Sequence, residues 1–191
     1  MSEEMLVCHC SPTLAGLKTG SLFSCPYSSQ KMIIKEIREF NQKLTQKGIR
    51  IIPVRISDKR MLVYVYRPEK LKEDFSDEKT QIILKCKGYD CTNLSQCICR
   101  LIQKLQSDPD FPHEIGLFLG YPAEDVKGFI ENKAACSKCS GCWKVYGDEQ
   151  AARILFKKYK KCTEIYCRRW KSGVAVEQLT ITTVSYTHLR A

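Results

Sequence analysis

The sequence predicts an α+β fold: a small, mainly antiparallel sheet built around one hairpin at about residues 49–66, with several packed helices. Three observations carry that reading. Two β-branched and aromatic runs, IRIIPVRI and MLVYVY, are separated only by Ser57, Asp58, Lys59 and Arg60, the pattern of two strands joined by a short polar turn. Most of the remaining chain carries apolar residues at three-to-four spacing, the period of an amphipathic helix. The order is helix, hairpin, then mostly helices, which suits a segregated arrangement rather than alternating βαβ units.

The elements follow in chain order. Ser11 and Pro12 suit a cap and a first turn, so a short helix is expected to start just after Cys10. From Ser28, the spacing Ile33, Ile37, Phe40, Leu44 is helical, and Gly48 ends it. Pro53 inside the first run of the hairpin marks an edge strand or a bulge. Helices are expected at about Asp77 to Lys87, stopped by Gly88, and through Leu94, Ile98, Leu101 and Leu105, stopped by Asp108 and Pro109. The stretch DFPHEIGLFLGYPAEDVKGF reads as two short helices meeting at a Gly-Tyr-Pro corner, the first capped by Asp110. A cysteine-rich loop then leads to a short strand, WKVY. Asp148 caps a long helix whose stripe is Ala152, Leu155, Tyr159, Cys162 and Tyr166.

The 191 residues suffice for one domain with a real core, and 43% hydrophobic with 27% charged residues is an ordinary globular composition. No repeat, low-complexity tract or linker divides the chain. The end VSYTHLRA looks like translated adapter sequence, so one domain is expected over 1–182 and a non-native tail over 183–191, with His188 set aside. No run of eighteen apolar residues occurs and the start MSEEMLVCHC lacks the pattern of an export signal, so the reading is a cytoplasmic protein with no membrane span. The twelve cysteines then read as reduced thiols; Cys25, Cys86, Cys97 and Cys99 are expected in or near the core.

Three constellations offer chemistry. A thiol at a helix start is activated by the helix dipole, which makes Cys10 a candidate nucleophile; His113 is the candidate base, with Glu114 or Asp125 to orient it. PHEIG is not the zinc-protease motif, because Leu117 stands where the second histidine would be. Cys136, Cys139 and Cys142, at two-residue intervals, can bind zinc or an iron–sulfur cluster with Cys162 or Cys167 as fourth ligand, and their simpler reading is a loop of reduced thiols. Between Arg153 and Lys171 lie eight basic residues against Glu164 alone, the densest part of a formal charge of +10. Nucleic-acid binding by that helix is admitted but not favoured, since its tyrosines fall on the apolar stripe. No glycine fingerprint or Walker loop supports a nucleotide-dependent enzyme.

The blocks CHCSPTLAGLKTGSLFSC, LVYVYRPEKL, FPHEIGLFLGYPAEDVKGFIENK and WKVYGDEQAARILFKKYKKC together resemble the bacterial, mostly clostridial family named domain of unknown function 3793, from about Val7 to Lys171. The resemblance implies an anaerobe's cytosol and carries over no activity, cofactor or catalytic residue. The function expected from the sequence is a ligand or thiol-centred site at the FPHEIGLFLGYP corner, with a cysteine-rich metal-binding module and a nucleic-acid-binding protein as alternatives.

Overall fold

The computed structural model describes residues 1–107 and 111–182. Its centre is a three-stranded antiparallel sheet in the order β1-β3-β2, formed by β1 (Gly20–Pro26), β2 (Arg50–Ser57) and β3 (Arg60–Tyr66). The expected hairpin is β2–β3, and its register shifts between Pro53 and Arg55, where the proline removes a ladder donor on an edge strand.

Alternation along β3 gives the sheet two apolar faces, and each is covered by helices. Met61, Val63 and Val65 point into one core; Tyr64 and Tyr66 point into the other. The first core is closed by α1 (Glu3–Leu14), α2 (Gln30–Leu44), α8 (Glu149–Lys171) and α9 (Val176–Leu179). The second is closed by α3 (Pro68–Phe75), α4 (Glu78–Cys86), α5 (Leu94–Ser107), α6 (Ile115–Phe118) and α7 (Ala123–Glu131). The α+β class holds, in three layers with the small sheet as the middle one. No helix among the described residues is long and apolar enough to cross a membrane.

Two segments differ from the sequence reading. The first helix does not begin after Cys10: Ser2 caps it by accepting from the Met5 N–H, and Glu3 and Glu4 occupy its positive end. Cys10 is therefore deep inside α1, and Pro12 lies in its last turn, where a missing N–H costs only one helical hydrogen bond. The Ser11 hydroxyl turns back to the Val7 carbonyl instead of capping. Strand β1 was not expected, because Ser21 puts a hydroxyl on its buried face; Thr13 Oγ1 satisfies it at 2.9 Å. The Asp108–Pro109 stop and the Asp110 cap lie outside the described residues, as does the 183–191 tail.

The layers are pinned by Arg67, which is 3% exposed at the end of β3. Its guanidinium donates to the Thr13 and Leu14 carbonyls at 2.7 Å, the Lys47 carbonyl at 3.1 Å and the Ile181 carbonyl at 2.7 Å. The fork thus ties the end of α1, the end of the 3-10 turn Thr45–Lys47 that follows α2, and the segment after α9. Arg67→Lys keeps the charge but not the fork. It is expected to lower the unfolding free energy by on the order of 3 kcal/mol in urea denaturation, because buried carbonyls lose donors.

The basic helix carries its apolar stripe as expected: Ala152, Tyr159, Cys162 and Tyr166 are buried, Leu155 is half-buried, and Lys157, Lys158, Lys160 and Lys161 are exposed. Tyr159→Ala should cost on the order of 3 kcal/mol, whereas reversing Lys157 and Lys161 to glutamate should change stability by less than about 0.5 kcal/mol, both read from thermal unfolding.

Candidate functional site

The FPHEIGLFLGYP block builds a corner in which almost nothing is free to vary. Ile115, Gly116, Leu117 and Phe118 are all buried, so α6 is a single turn sealed on every side rather than an amphipathic helix. Gly120 follows at φ +75°, a left-handed conformation, and a Cβ there would lie 2.6 Å from Thr19 Oγ1. Thr19 itself donates to Asp74 of α3, whose carboxyl burial raises in pKa and the Thr19 hydrogen bond lowers in part. The Tyr64 hydroxyl donates to the Phe118 carbonyl at 2.5 Å, fastening the corner to the sheet.

Glu114 is committed to this frame. Its carboxylate accepts from Lys104 Nζ at 2.7 Å and from the Tyr89 hydroxyl at 3.1 Å, and only 4% of its side chain is exposed. Lys104 also donates to the Lys87 carbonyl at 2.7 Å, so α4, α5 and α6 meet on one ion pair. Burial would raise the Glu114 carboxyl, but Lys104, a backbone N–H and Tyr89 outweigh it and hold it below its ordinary 4.5.

Asp125, at 3% exposure, is a second pin. It accepts from Trp143 Nε1 at 2.6 Å and from the backbone N–H groups of Tyr146 and Gly147 at 2.7 Å. These three bonds clamp onto α7 the cysteine-rich loop, which is a two-stranded hairpin, β4 (Cys139–Ser140) with β5 (Lys144–Val145). WKVY thus supplies β5 and a clamp.

Between corner and hairpin lies a cleft of about 460 Å³. Its walls carry the rings of Phe111, His113, Tyr121, Phe129 and Trp143; Leu22, Ile115, Leu119 and Val126 add aliphatic surface, and Ser140, Cys142 and Lys144 bring polar groups. The rings are ordered by one another: Tyr121 stacks on Trp143 with centroids 4.7 Å apart, and His113 meets Phe129 edge-on at 4.9 Å. At one side Lys18 lies over the Tyr121 ring, 5.1 Å from its centroid. Burial lowers the Lys18 ammonium to about 8, opposed by the Cys142 and Cys10 thiols. Burial raises the Cys142 thiol, and Lys18 lowers it only in part.

The structure distributes the sequence candidates differently from the expectation. Cys10 is fully buried in the first core, inside α1 rather than at a helix start, and burial pushes its thiol up to about 12, with Lys18 and Ser21 opposing, the reverse of the activation expected from a helix dipole. His113 is exposed at the mouth of the cleft beside the second core, so nothing among the described residues joins it to Cys10. Glu114 and Asp125 each hold other partners and do not orient His113. Cys136 is exposed at φ +56°, Cys139 and Cys142 belong to the hairpin, and Cys162 is buried in the first core, apart from the cluster that holds Cys139. Among the described residues no group of three or more His, Cys, Asp or Glu side chains is placed to hold a metal ion. Cys25 and Cys97 are buried as expected, whereas Cys86 and Cys99 are exposed. The aromatic lining was legible only as scattered rings; Phe111 and Phe129 are eighteen residues apart, and no spacing rule joins them to Trp143.

The chain belongs to the family described as protein of unknown function (DUF3793), which matches residues 6–180. No curated protein and no solved structure matches it.

The lowered Glu114 pKa fixes a sign. A carboxyl more acidic in the folded state stabilises above its ordinary range, and that contribution is lost as pH falls through the folded pKa. Glu114→Gln should therefore cost on the order of 3 kcal/mol at pH 7, where it leaves Lys104 without its counter-charge, and the gap from wild type should close as urea unfolding is repeated at pH values below 4.5.

Proposed function

We propose that this member of the family is a binding protein for a small planar aromatic or heteroaromatic molecule, held in the cleft between the FPHEIGLFLGYP corner and the cysteine hairpin. One observation carries the reading: five rings, from Phe111, His113, Tyr121, Phe129 and Trp143, line one cleft of about 460 Å³, within the size range of small-molecule sites. Ring faces and edges favour a flat π-system over a flexible chain, since stacked and edge-on contacts add to simple area burial.

The polar groups assign orientation. His113, exposed at the mouth, offers one ring nitrogen as donor or acceptor to a heteroatom of the ligand. Asp125, although it borders the cleft, spends its carboxylate on Trp143, Tyr146 and Gly147, so its role is to hold the Trp143 wall rather than to touch the ligand. Glu114 holds the opposite wall through Lys104. Preformed walls lower the ordering cost of binding.

The test uses 1-anilinonaphthalene-8-sulfonate as a flat aromatic probe with the full chain. Saturable binding at one site is expected, with energy transfer from tryptophan. Phe129→Ala and His113→Ala, which alter the wall and mouth without touching the Asp125 or Glu114 pins, should each weaken it about tenfold, the equivalent of about 1.4 kcal/mol. Non-saturable binding, or saturable binding indifferent to both substitutions, would show that the rings do not form a site.

A further inference from the structure

We infer that Cys8 and Cys167 are a redox-active dithiol that closes to a disulfide across α1 and α8 in exchange with low-molecular-weight disulfides. Their sulfurs lie 3.8 Å apart although the residues are 159 positions apart in sequence. A disulfide bond is about 2.05 Å long, so closure needs an approach of about 1.8 Å, the scale of a side-chain rotation with slight sliding of packed helices.

The two thiols differ in access, which sets their order of reaction. Cys8 is exposed on α1 and open to a dissolved disulfide; Cys167 is half-buried beside it on α8. The Cys167 thiol is raised by burial and by the hydrogen bond to Cys8, with Lys171 lowering it and Glu4 raising it. A second contact pair, Cys91 and Cys97, lacks this arrangement, because Cys97 is buried and donates to the Asp90 carbonyl at 2.8 Å.

In the first step the Cys8 thiolate, having lost its proton to solvent, attacks one sulfur of the small disulfide, which releases one thiolate and leaves a mixed disulfide on Cys8. In the second, the deprotonated Cys167 attacks the Cys8 sulfur and expels the second small thiolate. The protein loses two electrons and two protons, and the small disulfide leaves as two thiols. The product staples the first and last long helices of the first core. Trp170, one turn beyond Cys167 and bonded through Nε1 to Glu3 at 3.3 Å, reports on the same junction.

The experiment equilibrates the full chain with mixtures of reduced and oxidised glutathione, quenches with alkylating reagent and maps cysteine state by peptide mass spectrometry. A peptide pair joined through Cys8 and Cys167 is expected to dominate, with partial quenching of Trp170 fluorescence and a rise in melting temperature of about 5 °C. In Cys167→Ser the reaction should stop at a Cys8–glutathione mixed disulfide, and in Cys8→Ser the shift in melting temperature should vanish while Cys167 stays alkylatable. A wild-type Cys8–glutathione adduct that persists with Cys167 free would overturn the inference. So would disulfides confined to other cysteines, such as Cys136 and Cys142, while Cys8 and Cys167 remain reduced.

Discussion

A guanidinium buried in the first layer cannot be left half-satisfied, and the architecture follows from how Arg67 meets that demand. Its donors reach carbonyls on three separate segments, the ends of α1 and of the turn after α2 and the backbone at Ile181. Burial lowers its pKa, and proximity to Tyr166 opposes that, yet an arginine stays charged, so the cost of its burial is met only when all three segments are in place together. The helix end it holds leads into Lys18 and Thr19, and Thr19 is what Gly120 packs against. The position of the FPHEIGLFLGYP corner is thus linked to a residue on the far side of the sheet's end.

The cleft repeats the device. Its two walls come from segments with no backbone ladder between them, and each is fixed by a carboxylate that turns away from the cavity: Glu114 toward Lys104 and Tyr89, Asp125 toward the hairpin. Both carboxylates are therefore frame, and the surface offered to a ligand is mostly apolar, with five rings in it. This division explains why a histidine and a glutamate adjacent in sequence have unrelated roles.

What the sequence disclosed was whatever depends on one-sided burial. The stripes of α2 and α8, the β2–β3 hairpin and the irregularity at Pro53 were legible because period and turn chemistry are local. Strand β1 was hidden by Ser21, whose partner Thr13 belongs to another element. Ser11-Pro12 imitates a helix entrance, and only the tertiary burial of both residues reveals that α1 starts at Glu3. Glu114 and Asp125 stand out in the sequence as candidate site carboxylates, but their partners Lys104 and Trp143 are ten and eighteen residues away, a choice that no local pattern encodes. Cys136, Cys139 and Cys142 had a metal-site spacing, while the backbone uses them for a left-handed turn and a hairpin.

The contact of α1 with α8 and with the backbone at Ile181 also bears on biosynthesis. On the ribosome, α1 emerges ahead of β1 and can settle on it, but α8, the helix that covers its other flank, is made much later. At ordinary elongation rates of about 5–20 residues per second, that flank waits roughly 10 to 30 s for its partner. The layer formed by α3 to α7 draws its contacts from closer in the chain and can consolidate in the meantime. Leu6, Val7 and Leu14 are then apolar surface left partly uncovered until α8 is made.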